Sequence, residues 1–347
     1  MKSACLIGSQ TIELREMPDP AAPPDGLVLK MEACGVCGSD LRRWQEGPPP
    51  GVSHLVQGHE LAGVVVVTGP QVSHFKVGDR LAVAPDIHCG TCYYCRRGRF
   101  NVCTSLKLLG ITPGLNGGFA ERVLLPGELL RNGIVHRMPE GLSFQEGGLA
   151  ETLSSVLAAH HKCQTALGET VVILGAGPIG CLHLVIAQAR GARVIIAEPN
   201  PLRRRRAEQF APEAIIDVTQ QDIIAEVMRR TDDLGADVVI CANPVGATQT
   251  QAVEMARRGG RIVLFGGLPK ASPMVSLNAN LIHYGEQLLI GAFSYHPSFH
   301  EAALQTLARK VVNAEQFITH TRPLSQVTEA FQIAASGEAL KVMIHPD

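Results

Sequence analysis

From about residue 150 onward, short apolar runs alternate with helical periods, and this alternation restricts the fold more than any other feature of the chain. Strands are expected at 170–174, 193–197, 214–217, 236–241, 261–265 and 287–293. Helices are expected between them at 178–190, 201–210, over a stretch ending near 230, and at 247–256, with a further helix, 151–162, leading in. The strands are apolar almost throughout rather than on alternate residues. Such strands are buried on both faces, which requires a parallel sheet with helices packed on each side.

The first of these strands, TVVIL, runs into Gly175-Ala176-Gly177-Pro178-Ile179-Gly180, and a helix follows. G-x-G-x-x-G is a weak pattern alone, but a strand before it and a helix after it are the context its mechanism needs. Gly175 permits a tight turn, Gly177 lets backbone approach a pyrophosphate, and Gly180 lets helix and strand pack closely. Pro178 and Ile179 open a helix whose free N–H groups face the phosphates. Glu198 ends the second strand, where a carboxylate accepts hydrogen bonds from ribose hydroxyls and repels a 2′-phosphate. That favours NAD over NADP. Arg203 counts the other way, because an arginine there can take a phosphate or stack on adenine. This half of the chain is read as a Rossmann doubly wound domain.

The first half has another texture. Short strands at 27–32, 62–67, 80–84 and 120–125 are separated by Gly/Pro turns such as 18–26 and 47–51, which points to a small β-barrel or folded sheet. Two domains suit a chain of 347 residues. The formal net charge of −1 supports neither a nucleic-acid nor a membrane partner. The run RRRR at 203–206 reads as a solvated helix face. The opening MKSACLIGSQ shows no signal-peptide pattern, and no apolar run approaches the roughly 20 residues that span a bilayer. A cytoplasmic protein is expected.

Ten cysteines in that setting point to metal binding rather than to disulfides. Four of them, Cys89, Cys92, Cys95 and Cys103, are spaced C-x2-C-x2-C-x7-C, so their thiolates can close on one tetrahedral Zn²⁺. A four-thiolate site has no open position and is structural. Cys5, Cys34, Cys163, Cys181 and Cys241 lie in apolar surroundings and read as buried small hydrophobes. Cys37 stands in CGVCGSD and is followed some twenty residues later by Gly58-His59-Glu60. His54, His74, His88, His160 and His161 show no metal spacing and read as surface or packing residues.

With CGVCGSD, GHE, CGTCYYC, GGFAE, GAGPIG and GAFSY in this order, the sequence resembles the zinc-dependent medium-chain alcohol/polyol dehydrogenases, in their sorbitol dehydrogenase-like branch. The resemblance implies a GroES-like β-rich catalytic domain over 1–153, a Rossmann NAD-binding domain over 154–294, and a C-terminal return over 295–347 completing the first. It implies a catalytic zinc held by Cys37 and His59 with Glu60 or Glu151, and a second, structural zinc on the four cysteines. Ser39 would take the hydroxyl proton and Asp40 would orient His59. Phe265, Gly266, Gly267, Phe293 and Ser294 would join the cofactor site. Ser39, Trp44, Glu151 and Tyr295 would line the substrate site. The implied reaction moves a hydride between a secondary hydroxyl of a polyol or sugar derivative and NAD. A homo-oligomer, dimer or tetramer, is implied as well.

Three departures stand out. Thr152 follows Glu151 where polyol members usually have proline. Arg42 occupies the position of a proton-relay histidine. Arg43 precedes Trp44 where a tyrosine is usual, and it is read either as lining the pocket for an acidic or phosphorylated polyol or as a solvent-facing side chain. A simple alcohol or diol dehydrogenase and a non-catalytic member remain alternatives. A zinc-ribbon nucleic-acid binder would explain the four cysteines but not GAGPIG with Glu198.

Overall fold

The chain, described over residues 1–347 in a computed structural model, divides into two units. One comprises Met1–Ser154 and Tyr295–Asp347, the other Ser155–Ser294.

The first unit is organised around strand Leu27–Gly35, which is buried along nearly its whole length. Its whole length pairs antiparallel with Glu60–Thr68. Arg122–Leu125 pairs with its Leu27 end and the C-terminal strand Lys341–His345 with its Gly35 end. Arg80–Ile87 extends the sheet beyond Glu60–Thr68, and Ile318–Pro323 lies parallel to Lys341–His345. A separate three-stranded sheet joins Thr11–Glu16, Lys2–Gly8 and Leu55–Val56. The core between these layers is apolar, with Leu27, Leu29, Met31, Leu61, Phe119 and Phe331 all buried. Phe331, on helix Val327–Ser336, packs its ring 5.8 Å from Trp44 and 5.5 Å from Phe119. The last helix is thereby fixed by aromatic contact to helix Gly38–Glu46 and to the loop that carries Phe119.

The second unit is a six-stranded parallel sheet. Its order is Ala214–Ile216, Arg193–Ala197, Thr170–Leu174, Ala236–Cys241, Ala256–Leu264, Leu288–Gly291. This is the doubly wound order, in which the first strand is central and the chain reverses direction across the sheet. The fold class is α/β, as the alternation of apolar strands and helices indicates.

Several elements differ from the sequence reading. Helix Gly38–Glu46 and strand Ile318–Pro323 are additions. Helix Phe144–Cys163 begins seven residues before 151. Its start is marked by a capping pair: Ser143 Oγ accepts from Glu146 N–H at 3.3 Å, and Glu146 Oε2 accepts from Ser143 N–H at 2.8 Å. Strand Ala256–Leu264 starts five residues early, carrying Arg257 and Arg258 at its exposed end. No helix is long and apolar enough to cross a membrane.

Both units bury histidines that the sequence shows no reason to single out. His183 Nδ1 lies 3.1 Å from His160 Nε2, whose Nδ1 lies 2.8 Å from Thr165 Oγ1. In the other unit His136 and His300 share an Nδ1–Nδ1 contact of 2.9 Å. Burial holds His160 and His300 down at about 3, helped by the neighbouring Arg190 and His136 respectively. His183 is likewise pushed well below its ordinary value by burial. These groups take up protons in the unfolded chain near pH 6.5 but not in the folded one, so folding stability falls as pH drops below that value. At pH 5 a group with a folded pKa near 3 destabilises the fold by about 2 kcal/mol relative to neutral pH. Unfolding titrations at pH 7 and pH 5 are expected to show this loss, and His300→Gln to make it shallower by about 2 kcal/mol. An equal loss in wild type and His300→Gln would contradict the assignment.

Candidate metal centres and nucleotide site

The Gly35 end of the central strand is where the candidate catalytic residues meet. Pairing of Gly35 with Glu60 on one side and with Met343 on the other brings residues distant in sequence to the same point. Two residues past Gly35, Cys37 caps helix Gly38–Glu46. Its N–H donates to Asp40 Oδ2 at 3.0 Å, so the helix start fixes the cysteine's position. His59 follows Gly58, which has φ +99° and no room for a side chain, since a Cβ would lie 2.8 Å from both Cys34 Sγ and Phe119 N. Only glycine satisfies that turn.

The ligand atoms of Cys37, His59 and Glu60 lie within 4.8 Å of one another. Asp40, fully buried, sets Oδ1 3.4 Å from His59 Nδ1, and Gln57 Nε2 lies 3.4 Å from the same oxygen. Ser39 Oγ lies 3.4 Å from His59 Nε2. Burial alone would press the His59 imidazole towards neutrality, but Asp40 and Cys37 outweigh it and hold its pKa well above the ordinary value. The cluster therefore favours a cation. One thiolate, one imidazole and one carboxylate are a donor set that zinc accepts while keeping a further position for substrate.

Glu60 is fully buried, with Lys341 Nζ 2.6 Å from Oε1 and 2.7 Å from Oε2. Thr152 Oγ1 donates to Oε1 at 2.8 Å. The strand Lys341–His345 thus supplies a cation to the site that no motif reading assigned. Glu151 lies one residue before Thr152 on helix Phe144–Cys163 and accepts from the Tyr295 hydroxyl at 2.9 Å. Its carboxyl is pushed up to about 7, chiefly by burial, while the His59 charge pulls the other way. The Tyr295 phenol is raised well above its usual range by burial and by Glu151.

The four cysteines 89, 92, 95 and 103 also converge, all four sulfurs lying within 4.8 Å. Sγ–Sγ separations are 3.5 Å for Cys92–Cys95, 3.9 Å for Cys92–Cys103 and 4.0 Å for Cys89–Cys95. Thiolates around one tetrahedral zinc stand roughly 3.8 Å apart, from bonds of about 2.3 Å. Backbone N–H groups of Cys92 and Ser105 point at Cys89 Sγ and Cys103 Sγ, each at 3.3 Å. Hydrogen bonds of this kind favour the thiolate, and backbone N–H donors pull the Cys92 thiol down as well. The donor set fits zinc with no place left for a substrate. The remaining cysteines, apart from Cys37, are fully buried.

In the other unit, Gly175 has φ +110°, and a Cβ on Gly180 would stand 1.9 Å from Gly175 O. Gly177 caps helix Pro178–Ala189, and nothing lies within 4 Å of where its Cβ would be. Turn, close packing and an open approach to the helix N-terminus are thus all present. Glu198, buried, accepts from Ala176 N–H at 2.8 Å and from Asn200 N–H at 2.9 Å. Gly266 packs against Asn243, whose O would lie 2.2 Å from a Cβ there. The Phe265 ring meets His183 edge-on at 4.7 Å, and Phe293 is exposed. In the arginine run, Arg204 is committed to Asp217 at 2.6 Å and to the carbonyls of Glu198 and Pro199.

Two residues considered for the substrate site, Trp44 and Arg43, the latter read either as lining the pocket or as solvent-facing, have the following surroundings. Arg43 turns to the end of its own helix, with Nη1 3.2 Å from Glu46 Oε2 and 3.4 Å from Gly47 O. Trp44 packs into the core against Phe331. The amphipathic short helix explains both: Trp44 is its apolar face and Arg43 flanks it near the exposed C-terminus.

Comparison with known proteins gives the family. Residues 23–139 match the alcohol dehydrogenase GroES-like domain family, and 178–309 match the zinc-binding dehydrogenase family. The chain is 32% identical to the sorbitol dehydrogenase of Bacillus subtilis (strain 168), across 100% of this chain and 98% of that protein. Its fold superposes on the alcohol dehydrogenase TADH from Thermus sp. ATN1 with TM-score 0.90 and 27% identity, covering 100% of both chains. A protein described as a zinc-binding dehydrogenase from Sinorhizobium meliloti 1021, solved with NADP, gives TM-score 0.90 and 30% identity over 99% of each chain. A GroES-like unit carrying Cys37, His59 and Glu60, a nucleotide-binding parallel sheet, and identity along the whole length place the chain in the zinc-dependent medium-chain polyol dehydrogenase family.

Proposed function

We propose that this protein is an NAD-dependent zinc oxidoreductase that interconverts a secondary hydroxyl of a neutral polyol or sugar derivative and the corresponding ketone. The observation that carries the reading is the three-donor cluster Cys37–His59–Glu60, backed by the fixed Asp40 and flanked by Ser39. A zinc ion bound there supplies Lewis acidity that lowers the pKa of an alcohol, and a nicotinamide takes the hydride. The chain's own residues do the rest. Cys37, His59 and Glu60 supply the ligands. Asp40 Oδ1 faces His59 Nδ1 and keeps Nε2 as the donor atom. Ser39 Oγ, exposed and 3.4 Å from that nitrogen, accepts the hydroxyl proton and passes it to water. Arg42, exposed on the same helix, offers no imidazole for a relay, so the proton leaves by solvent. The four cysteines hold their lobe with a second zinc and take no part in the chemistry.

Cofactor preference rests on Glu198. Backbone N–H groups hold its carboxylate beside the glycine turn, where it suits a ribose diol and repels a 2′-phosphate. The pairing of Arg43 with Glu46 at the end of its own helix supports a neutral substrate over an acidic or phosphorylated one.

The test is NAD⁺ reduction over a panel of polyols, their phosphates and sugar acids. Turnover of a neutral polyol is expected, and its loss in His59→Ala and after chelation. Turnover persisting in either would contradict the metal-centred reading. Glu198→Gln keeps an oxygen for the Ala176 N–H but removes the charge. It is expected to lower the NAD⁺ over NADP⁺ ratio of kcat/KM by about tenfold or more, the size of a charged hydrogen bond. An unchanged ratio would remove Glu198 from cofactor choice. Arg43→Ala is expected to leave the polyol to polyol-phosphate ratio unchanged, and a large drop in phosphate use would restore the alternative.

A further inference from the structure

The contacts of Glu60 carry a further inference, which rests on the reading of Cys37, His59 and Glu60 as facing a metal. A carboxylate meant to donate freely to a cation keeps lone pairs available. Glu60 does not. Both its oxygens lie within 2.7 Å of Lys341 Nζ, and Oε1 takes a further bond from Thr152 Oγ1 at 2.8 Å. Lys341 Nζ also reaches Thr152 Oγ1 at 3.3 Å and Val36 O at 3.5 Å. Lys341 is 3% exposed and Thr152 4% exposed, so these contacts are made away from water, where charge-assisted bonds are strongest. The carboxylate rests over the Cα of Gly35, where a Cβ would stand 1.9 Å from Oε2. Glu151, in contrast, receives its bond from the neutral hydroxyl of Tyr295.

We propose that Lys341 and Thr152 are positioning residues of the metal centre, clamping Glu60 as a charge-compensated carboxylate so that the ion remains a strong electrophile. The ammonium cancels one of the two formal negative charges that the Cys37 thiolate and Glu60 present to a cation. It also competes with the cation for the same oxygens. Thr152 holds the carboxylate's rotation through a hydroxyl, which a residue without one could not do.

Cobalt(II) in place of zinc tests this without relying on turnover, because its visible bands report the ligand set. The bands lost in Cys37→Ser identify this site against the four-cysteine one. Cobalt affinity is read by competition with a chelator. Lys341→Met is expected to bind cobalt about tenfold or more tightly, with shifted bands, as Glu60 donates fully. Thr152→Val should move both readouts the same way by less, and Lys341→Arg should return them to wild type. Adding Glu60→Gln to Lys341→Met should abolish the gain. Unchanged affinity and bands in Lys341→Met, or a gain that persists without the Glu60 carboxylate, would overturn the clamp while leaving the site intact. If Lys341→Met fails to fold, Thr152→Val with and without Glu60→Gln makes the same comparison. Absence of any Cys37-dependent band in the wild type would overturn the metal reading, and the clamp with it.

Discussion

The buried pair of Glu60 with Lys341 is the contact on which the catalytic unit depends. Both charges are out of water, and each is tolerated only because the other is within 2.7 Å. Removing one partner of such a pair leaves an uncompensated charge and typically costs about 3–5 kcal/mol. The geometry follows from the sheet. Strand Leu27–Gly35 carries Glu60 on one edge and the C-terminal strand on the other, and Gly35 leaves room for the carboxylate between them. The site is therefore complete only when residues separated by most of the chain have paired.

The two candidate metal clusters differ in kind. The four sulfurs at 89–103 form a closed, uniform donor set held by backbone N–H groups, which suits a permanent structural ion. Cys37, His59 and Glu60 form a mixed set with fewer donors, next to a second carboxyl pushed up to about 7 by burial and an exposed serine hydroxyl. Lower thiolate content leaves a bound cation more electron-deficient, and the open position admits a substrate. Mixed donors and a compensated carboxylate would both leave an ion bound there a strong Lewis acid.

Much of this is legible in the sequence. Almost wholly apolar strands at 170–174, 193–197 and 236–241 appear with those bounds because parallel-sheet strands are defined by burial on both faces. The glycine turn, Glu198, Cys37, His59 and the four cysteines carry their chemistry in residue type and spacing. What the sequence hides is whatever depends on long-range pairing. Lys341 sits in a short strand with nothing to distinguish it from a surface lysine, and only the register against Gly35 brings it to Glu60. For Arg43 and Trp44 the sequence leaves the side-chain surroundings open for a related reason: the helix period turns Trp44 to the core and Arg43 towards Glu46. The buried histidine pairs are invisible as well, since each partner comes from a different helix or strand.

One chain is expected to hold two chemically distinct zinc sites. Diffraction from crystals of the metal-loaded protein at wavelengths on either side of the zinc absorption edge tests it most directly. Two anomalous peaks per chain are expected, one among Cys89, Cys92, Cys95 and Cys103 and one beside Cys37 and His59 near Glu60. A single peak, confined to the four cysteines, would contradict the account and leave the protein with a structural metal alone.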